Sequence, residues 1–461
     1  MTTITYADVN EDILRTLERP KPAYFLLVAG FATALLIGAL SVAIQVDVGM
    51  GVSGISHPIG WGVYITNFVF WIGIGHAGTL ISAVFFLTRA PWRPSVYRAA
   101  EGMTVFAVMT AGLFPLIHVG RIWYAFWLIP YPNQRMLWVN FKSPLLWDVF
   151  AVSTYLTISI TFFVIGLIPD LAALRDRATG IRKLIYTQLA VGWNNSYQQW
   201  IHYTRGYLLL AALATPLVFS VHSIVSWDFA MSLIPGWHTT IFAPYFVAGA
   251  IFSGLAMVLT IVIPMRAVFG WEKYITEHVM QSMAKVILFT SIIVGYAYAS
   301  EFFIAWYSGN VFERGLFYFR LFGEPASHAP FGDVGDMTFP QIAFFIMVFC
   351  NVIAPIPLWR YKIRTNVWAL FFIAILINIG MWFERFNIVV SSLQRDFNPA
   401  NWGTYYPTIV ESGITLGSFG FFFTLFALFA RAMPSLAIAE VKEGLAPPRR
   451  NPESDDAHGH D

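Results

Sequence analysis

Charged residues are scarce in this chain: Asp, Glu, Lys and Arg make up only 12% of its 461 residues, whereas 57% are hydrophobic. A soluble fold could not bury so much apolar surface, but helices that face lipid need not bury it. The formal net charge of +2 provides no argument for a nucleic-acid partner. We therefore expect an integral membrane protein that contacts lipid and does not bind nucleic acid.

Residues that ligate redox centres are also scarce. The one cysteine, Cys350, excludes an internal disulfide and any cysteine-ligated iron–sulfur cluster in this chain. Of the ten histidines, His76, His118 and His222 lie in apolar stretches, whereas two bis-histidine haems would need four such residues. We expect neither haem, iron–sulfur cluster nor other metal site here.

Long apolar segments are what the chain has instead. About 20 apolar residues cross a hydrocarbon core, and ten segments are long enough. They lie at roughly 22–45, 61–88, 99–122, 143–168, 203–226, 241–265, 283–306, 340–357, 366–384 and 411–431. The pattern predicts an all-α integral membrane domain at 22–435, an amphipathic cytoplasmic head at 1–21 and a disordered cytoplasmic tail at 436–461.

The distribution of Lys and Arg predicts the orientation. With the N-terminus inside, 19 of the 28 basic residues fall on the cytoplasmic side and seven on the outer side. This bias places both termini in the cytoplasm. Asp8 is the candidate N-cap of a short helix in the head. Two outer connections are long, about 123–142 and 307–339, and the second is apolar enough to predict docking rather than free solvation.

Two ionisable residues stand out because each lies near the outer end of an apolar segment. His118 occurs in the third segment and Asp148 in the fourth. A charged side chain inside a bilayer helix is unfavourable by roughly 2.5–3.5 kcal/mol, so chance placement is disfavoured. A histidine that hydrogen-bonds a helix backbone, or an aspartate stabilised by a helix dipole, would be the structural alternative. Together the two residues favour a site where protons are exchanged.

Oxidation of a quinol fits such a site, because it releases two protons that need acceptors near neutral pH. Arg121 could balance local charge, and Trp147 and Tyr155 offer flat walls for a quinone ring. A separate hypothesis is a proton path through the membrane. Its candidate residues are His76, His222, Glu301, Asn351 and Asn378, and for His76 a packed polar contact is an equal alternative.

Three segments also carry a resemblance to a known family. They are 61–79, with the sequence WGVYITNFVFWIGIGHAGT, 114–121 around His118, and 143–148, with the sequence SPLLWD. These segments resemble the NrfD-type family, the membrane subunits of polysulfide reductases. Within that family the chain most resembles larger members such as the quinol-binding membrane subunit of bacterial alternative complex III.

The resemblance implies a particular fold and a particular site. It implies two four-helix bundles, helices 2–5 (about 61–226) and helices 6–9 (about 241–384), with helices 1 and 10 on the flanks. A quinol site would lie on the outer side, lined by His118 and Asp148, with Asp228 as a third candidate. Either menaquinol or ubiquinol would fit, and the protein itself would carry no redox centre.

The resemblance also implies partners and a location. Electrons would pass to an iron–sulfur subunit and then to multihaem cytochrome c subunits, beside a second NrfD-like membrane subunit in the bacterial inner membrane. We therefore expect the quinol-oxidising subunit of alternative complex III, with proton translocation as a further property. The alternatives are a quinol-reactive anchor of a polysulfide or sulfoxide reductase-type complex, a secondary transporter or a passive anchor.

Overall fold

The computed structural model describes residues 4–15, 18, 20–131, 133, 136–323, 338–443 and 445. Over these ranges the chain is built from helices, and ten of them are long and apolar enough to cross a membrane. They are Pro22–Val48, Gly62–Leu87, Tyr97–His118, Pro144–Arg177, Tyr197–Ala230, Phe242–Phe269, Glu277–Tyr307, Phe339–Trp359, Val367–Ser391 and Ile409–Ala432, here called spans 1 to 10. The predicted all-α membrane fold with ten spans is confirmed.

Three spans depart from regular α-helix. Span 2 contains a π-helical turn at Leu80–Val84, span 8 one at Phe349–Ile353, and span 9 ends in one at Asn387–Ser391. Span 8, the shortest predicted segment, closes with a 3-10 turn at Ile356–Trp359. Such π-helical turns occur often at functional sites.

Spans 2 and 6 form the centre of the molecule. In their most apolar stretches 89% and 83% of the residues are buried, against 11% in span 1. Span 2 packs on spans 3 and 6, span 4 on span 5, and span 6 also on spans 5, 7 and 9. Spans 2–5 contact one another in chain order, as do 6–7 and 8–9. The two-bundle grouping remains our proposal, and these contacts are compatible with it.

Small residues hold span 1 against span 10. Gly38 lies opposite Gly417 so closely that a Cβ on either glycine would overlap the other's backbone. Ser41 contacts Gly413 in the same way, and Gly420 lies against the backbone of span 1. Close approach of this kind lets helices associate in lipid without a hydrophobic driving force.

The head forms the predicted surface helix, but with a different start. The helix spans Tyr6–Leu14, and Thr5 is its N-cap. Asp8 lies in the first turn and accepts a hydrogen bond from the Thr5 backbone N–H, as in a capping box. The assignment of Asp8 as N-cap was therefore wrong by three residues.

The start of the tail is ordered, which differs from the predicted disorder beginning at 436. Ile438–Glu443 forms a short helix, and Ile438 is buried. Glu440 pairs with Arg93, and the Ile438 backbone N–H donates to Asp170 at 3.1 Å. Residues 446–461 lie outside the described part of the chain.

The second long outer connection contains a helix of its own. Val311–Phe322 is amphipathic, with Leu316, Phe317 and Phe319 buried against the spans. This part of the connection therefore packs on the chain itself. Its later part, including Phe331, lies outside the described residues.

Candidate functional site

His118 and Asp148 lie at adjoining ends of neighbouring helices. Span 3 ends at His118, where Gly120 with φ +77° turns the chain out of the helix. Span 4 begins at Pro144, so Asp148 lies one turn inside that helix. Spans 3 and 4 pack on each other. No hydrogen bond or ion pair joins the two side chains within the described part of the chain, so a substrate or water would have to connect them.

Asp148 forms a pair with Asp228, which comes from the end of span 5. Their carboxyl groups lie within hydrogen-bonding reach of each other. Two carboxyl groups can share a hydrogen bond only when a proton lies between them. One oxygen of each residue is buried and without a partner in the described ranges. The pair can therefore hold a proton and accept another.

Two tryptophans adjoin this carboxyl pair. Trp147 and Trp227 each precede one of the aspartates, and their rings meet edge to face with centroids 6.1 Å apart. The Trp147 indole N–H donates to the Phe141 carbonyl at 2.7 Å. The same dipeptide, Trp-Asp, thus occurs in span 4 and in span 5, and its two tryptophans contact each other. Trp147 lies beside Asp148, where a ring-binding residue was predicted.

The imidazole of His118 is half-buried and supported by an aromatic ring. Its centroid lies 5.6 Å from that of Tyr64, at an angle of 42°. His118 Nδ1 is buried and has no hydrogen-bond partner among the residues described. A neutral imidazole with a free ring nitrogen can accept a proton or a hydrogen bond from a ligand.

Two residues behind His118 were not predicted from the sequence as site residues. The Tyr64 hydroxyl donates to Gln45 Oε1 at 2.6 Å, and Gln45 Nε2 donates to the Ile117 carbonyl at 2.9 Å. Gln45 comes from span 1 and Tyr64 from span 2. The available signal was the presence of a glutamine inside an otherwise apolar segment.

Arg121 is exposed and precedes a 3-10 helix, Ile122–Leu128. No ion pair to it occurs in the part of the chain that the structure describes, so its proposed role in charge balance gains no support. The segment that follows is strongly aromatic and open. Trp123, Trp127 and Trp138 expose 58%, 47% and 97% of their surfaces, enough to make this segment a candidate docking surface.

Tyr155 lies deeper, about 10 Å along span 4 from Asp148. Its ring stacks on that of His76 with centroids 4.8 Å apart. Its hydroxyl hydrogen-bonds Thr79 at 2.7 Å and donates to the Gly75 carbonyl at 2.9 Å. The structure thus separates Tyr155, predicted beside the quinol, from the outer carboxyl pair.

His222 completes this inner cluster. Its ring centroid lies 4.6 Å from that of His76, and both side chains are fully buried. His76 Nδ1 bonds the Ile72 carbonyl at 2.6 Å, but His76 Nε2 and both nitrogens of His222 have no partner among the described residues. Buried polar atoms are normally hydrogen-bonded, so three free nitrogens together indicate a place where water or a proton is taken up.

A second buried network lies among spans 6 to 9. Glu384 pairs with Arg385 and accepts from the Tyr298 hydroxyl and, at 3.3 Å, from the Asn351 amide. Arg385 lies over the Phe246 ring at 4.9 Å, and that ring contacts His222 with centroids 5.7 Å apart. The Phe246 ring therefore lies between the inner histidines and this second polar network.

The remaining predicted proton-path residues divide between two places. Glu301 pairs with Arg320 at 3.3 Å at the outer end of span 7. Asn378 instead donates to Thr260 at 3.2 Å and lines an apolar groove with Phe70 and Trp382. Both Arg320 and Arg385 are buried.

No group of three or more His, Cys, Asp or Glu residues within the described ranges is arranged to hold a metal ion. Cys350 is buried in span 8, and a Cβ at Gly380 of span 9 would overlap it. The outer and inner clusters contain histidine, carboxyl and phenol groups, which can transfer protons.

Comparison with known proteins gives one family and two relatives. The family model described as polysulphide reductase, NrfD, matches residues 51–395. A Halobacterium salinarum protein named as a membrane subunit of dimethyl sulfoxide reductase is 24% identical over 410 residues, which cover 84% of this chain and 86% of that protein. A subunit of the selenate reductase of Mesobacillus selenatarsenatis is 22% identical over 314 residues, covering 66% and 70% of the two chains.

Proposed function

Because the chain belongs to the NrfD family, we propose that it is the quinol-oxidising membrane subunit of a multi-subunit oxidoreductase. The observation that carries the proposal is the outer cluster, where His118 Nδ1 and the Asp148–Asp228 carboxyl pair present free acceptor atoms. A passive anchor would leave these atoms without a role, whereas a secondary transporter would also place polar groups within apolar helices.

The relatives favour one type of complex over another. Both are named as subunits of a reductase, one for dimethyl sulfoxide and one for selenate. These names support the reductase-type anchor, which the sequence favoured only as an alternative, more than alternative complex III. We therefore take a reductase-type complex with an iron–sulfur partner subunit as the main proposal. Segment 61–79 resembles the quinol-binding membrane subunit of alternative complex III. That complex, with its multihaem cytochromes and second NrfD-like subunit, is therefore the second candidate.

The proposed reaction needs two proton acceptors and an external electron acceptor. One quinol hydroxyl gives its proton to the free nitrogen of His118, and the other gives its proton to the Asp148–Asp228 pair. The two electrons leave together or in turn to the iron–sulfur partner, and quinone departs. Trp147 and Trp227 would flank the ring. The open aromatic segment after Arg121 is the surface that we assign to the partner.

The orientation supports release of these protons to the outer compartment of a bacterial inner membrane. The two terminal helices lie on one side, because Lys442 donates to Asn10 at 2.7 Å. Most basic residues lie on that same side, which we take as cytoplasmic. The inner chain His76–His222 and the network around Glu384 are the proposed proton path across the molecule.

Substitution of the two acceptors tests the proposal. In the assembled complex, His118→Ala and Asp148→Asn are each expected to lower quinol turnover by about a hundredfold or more, since each removes one general base. Asp47→Asn is the matched control, because Asp47 is an exposed aspartate at the outer end of span 1. Turnover is measured with a soluble electron acceptor and normalised to purified complex. Near-normal turnover in both variants would refute the site.

A further inference from the structure

Span 1 is a lipid-facing helix with a single buried stripe. Its buried residues are Gly38, Ser41 and Gln45, spaced three and four residues apart and therefore on one helix face. Gly38 and Ser41 meet glycines of span 10. Gln45, fully buried at the outer end, contacts the site instead, which sets it apart from the two packing residues.

The Gln45 amide joins spans 1, 2 and 3 at the base of His118. Its oxygen accepts the Tyr64 hydroxyl at 2.6 Å, and its nitrogen donates to the Ile117 carbonyl at 2.9 Å. Both partners are themselves next to His118: Ile117 precedes it in the chain, and the Tyr64 ring packs on its imidazole. One amide thus holds both the backbone and the ring that support the proton acceptor.

The end of span 3 explains why this support is needed. Ile117 lies in the last turn, where helix carbonyls lack the usual partner four residues ahead. Its carbonyl accepts from the Gly120 N–H at 3.0 Å, a tighter turn that leads out of the helix. Gln45 gives the same carbonyl a second donor. The position of His118 therefore depends on a side chain from another span.

We propose that Gln45 is a positioning residue for quinol oxidation, acting on His118 through Tyr64 and the Ile117 carbonyl. The inference rests on the proposed function, because it assigns Gln45 a role only if His118 accepts a proton. Gln45 and Tyr64 orient the acceptor from behind, so their loss affects the chemical step more than binding.

The test compares Gln45→Leu, Tyr64→Phe and the double variant in the assembled complex. Tyr64→Phe is expected to lower kcat about fivefold to tenfold, the effect of one lost hydrogen bond on the reaction. Gln45→Leu loses two hydrogen bonds and should lower kcat at least as much. KM for a short-chain quinol should change less than about twofold, as expected when only the chemical step is affected. Because the two residues share one hydrogen bond, the double variant should be no slower than Gln45→Leu alone.

Ser41→Ala is the matched control, since it changes the buried polar residue one turn away that does not contact Tyr64. It should retain wild-type kcat. Copurification of the partner subunits measures assembly for every variant. If Gln45→Leu fails to assemble, Tyr64→Phe still tests the proposal, because it removes only one oxygen atom.

Two results separate this inference from the function on which it rests. Full turnover in His118→Ala would overturn the proposed function and, with it, the role of Gln45. Loss of turnover in His118→Ala together with wild-type kcat in Gln45→Leu and Tyr64→Phe would overturn only the positioning role. A double variant whose loss equals the product of the two single losses would also contradict it.

Discussion

At the scale of single residues, the outer site is distinguished by polar atoms without partners. His118 Nδ1 and one oxygen each of Asp148 and Asp228 are buried and make no hydrogen bond within the described parts of the chain. Most buried polar groups in proteins are paired, and an unpaired group needs a specific reason. A substrate that arrives with two hydroxyl groups would supply the missing donors.

The carboxyl pair makes a prediction for Asp228. Asp228→Asn leaves a group that can hydrogen-bond Asp148 but cannot accept a proton, so quinol turnover should fall at least about tenfold. The double variant Asp148→Asn with Asp228→Asn should be no slower than Asp148→Asn alone, because residues that act as a unit are not additive. Steady-state turnover of the purified complex measures both.

Trp227→Phe is the companion control for Asp228→Asn, since it alters the neighbouring wall and keeps both carboxyl groups. It is expected to change KM more than kcat. Wild-type kcat in Asp228→Asn would show that Asp148 works alone and that the pair has no catalytic meaning.

The residues of the outer site differ in how far sequence could predict them. His118 and Asp148 stand out in the sequence because an ionisable group in an apolar helix is unfavourable, and their role stays a prediction. Asp228 was indicated only by the family resemblance. Gln45 was missed although a glutamine in an apolar segment was a signal, because its partner Ile117 lies 72 residues away and the sequence does not show which helices meet there.

At the scale of elements, the hydrophobic lengths predicted all ten spans, since a membrane demands an apolar stretch of a certain length. The same signal could not predict the helix Val311–Phe322, which is amphipathic and lies in a connection. It also gave no sign that Arg320 and Arg385 are buried, because arginines paired with Glu301 and Glu384 resemble exposed loop charges when only the sequence is known.

The contact between spans 1 and 10 makes a prediction about stability. Gly417→Val should destabilise the protein by about 1–3 kcal/mol, because its side chain would overlap the Gly38 backbone in a closely packed interface. The thermal unfolding midpoint of the detergent-purified protein should fall accordingly. Gly30→Val is the control, since no atom lies within 4 Å of a Cβ at Gly30. Equal midpoints for the two variants would exclude glycine packing as the basis of this contact.

At the scale of the entire protein, two buried polar clusters, one in each half, lie on either side of the Phe246 ring, and we propose that together they form a proton route. His76 and His222 lie between spans 2 and 5, and the Phe246 ring separates His222 from Arg385. Arg385 and Glu384 belong to span 9 and lead to Tyr298 in span 7. Charged and polar groups at this depth in a membrane protein commonly serve proton transfer.

Proton movement along this route can be measured separately from quinol oxidation. His222→Phe keeps an aromatic ring against His76 but removes both unpartnered nitrogens. If the inner cluster carries protons, the complex in proteoliposomes should keep its quinol turnover within about twofold, because the outer acceptors are untouched. Its proton yield per quinol should fall to the two protons released by the chemistry itself.

Asn378→Leu provides the contrast, since Asn378 lies on an apolar groove with Thr260 as its hydrogen-bond partner, outside the chain of contacts through His222. Its proton yield should equal that of the wild type.

If His222→Phe also kept the wild-type yield, the inner histidines would be packed polar residues. A wild-type complex that released only the two chemical protons would mean that no proton path operates. Three of the four ring nitrogens of His76 and His222 have no partner among the described residues, and only His76 Nδ1 bonds the backbone. This favours a working path, because a merely structural histidine pair would be expected to have its buried nitrogens hydrogen-bonded.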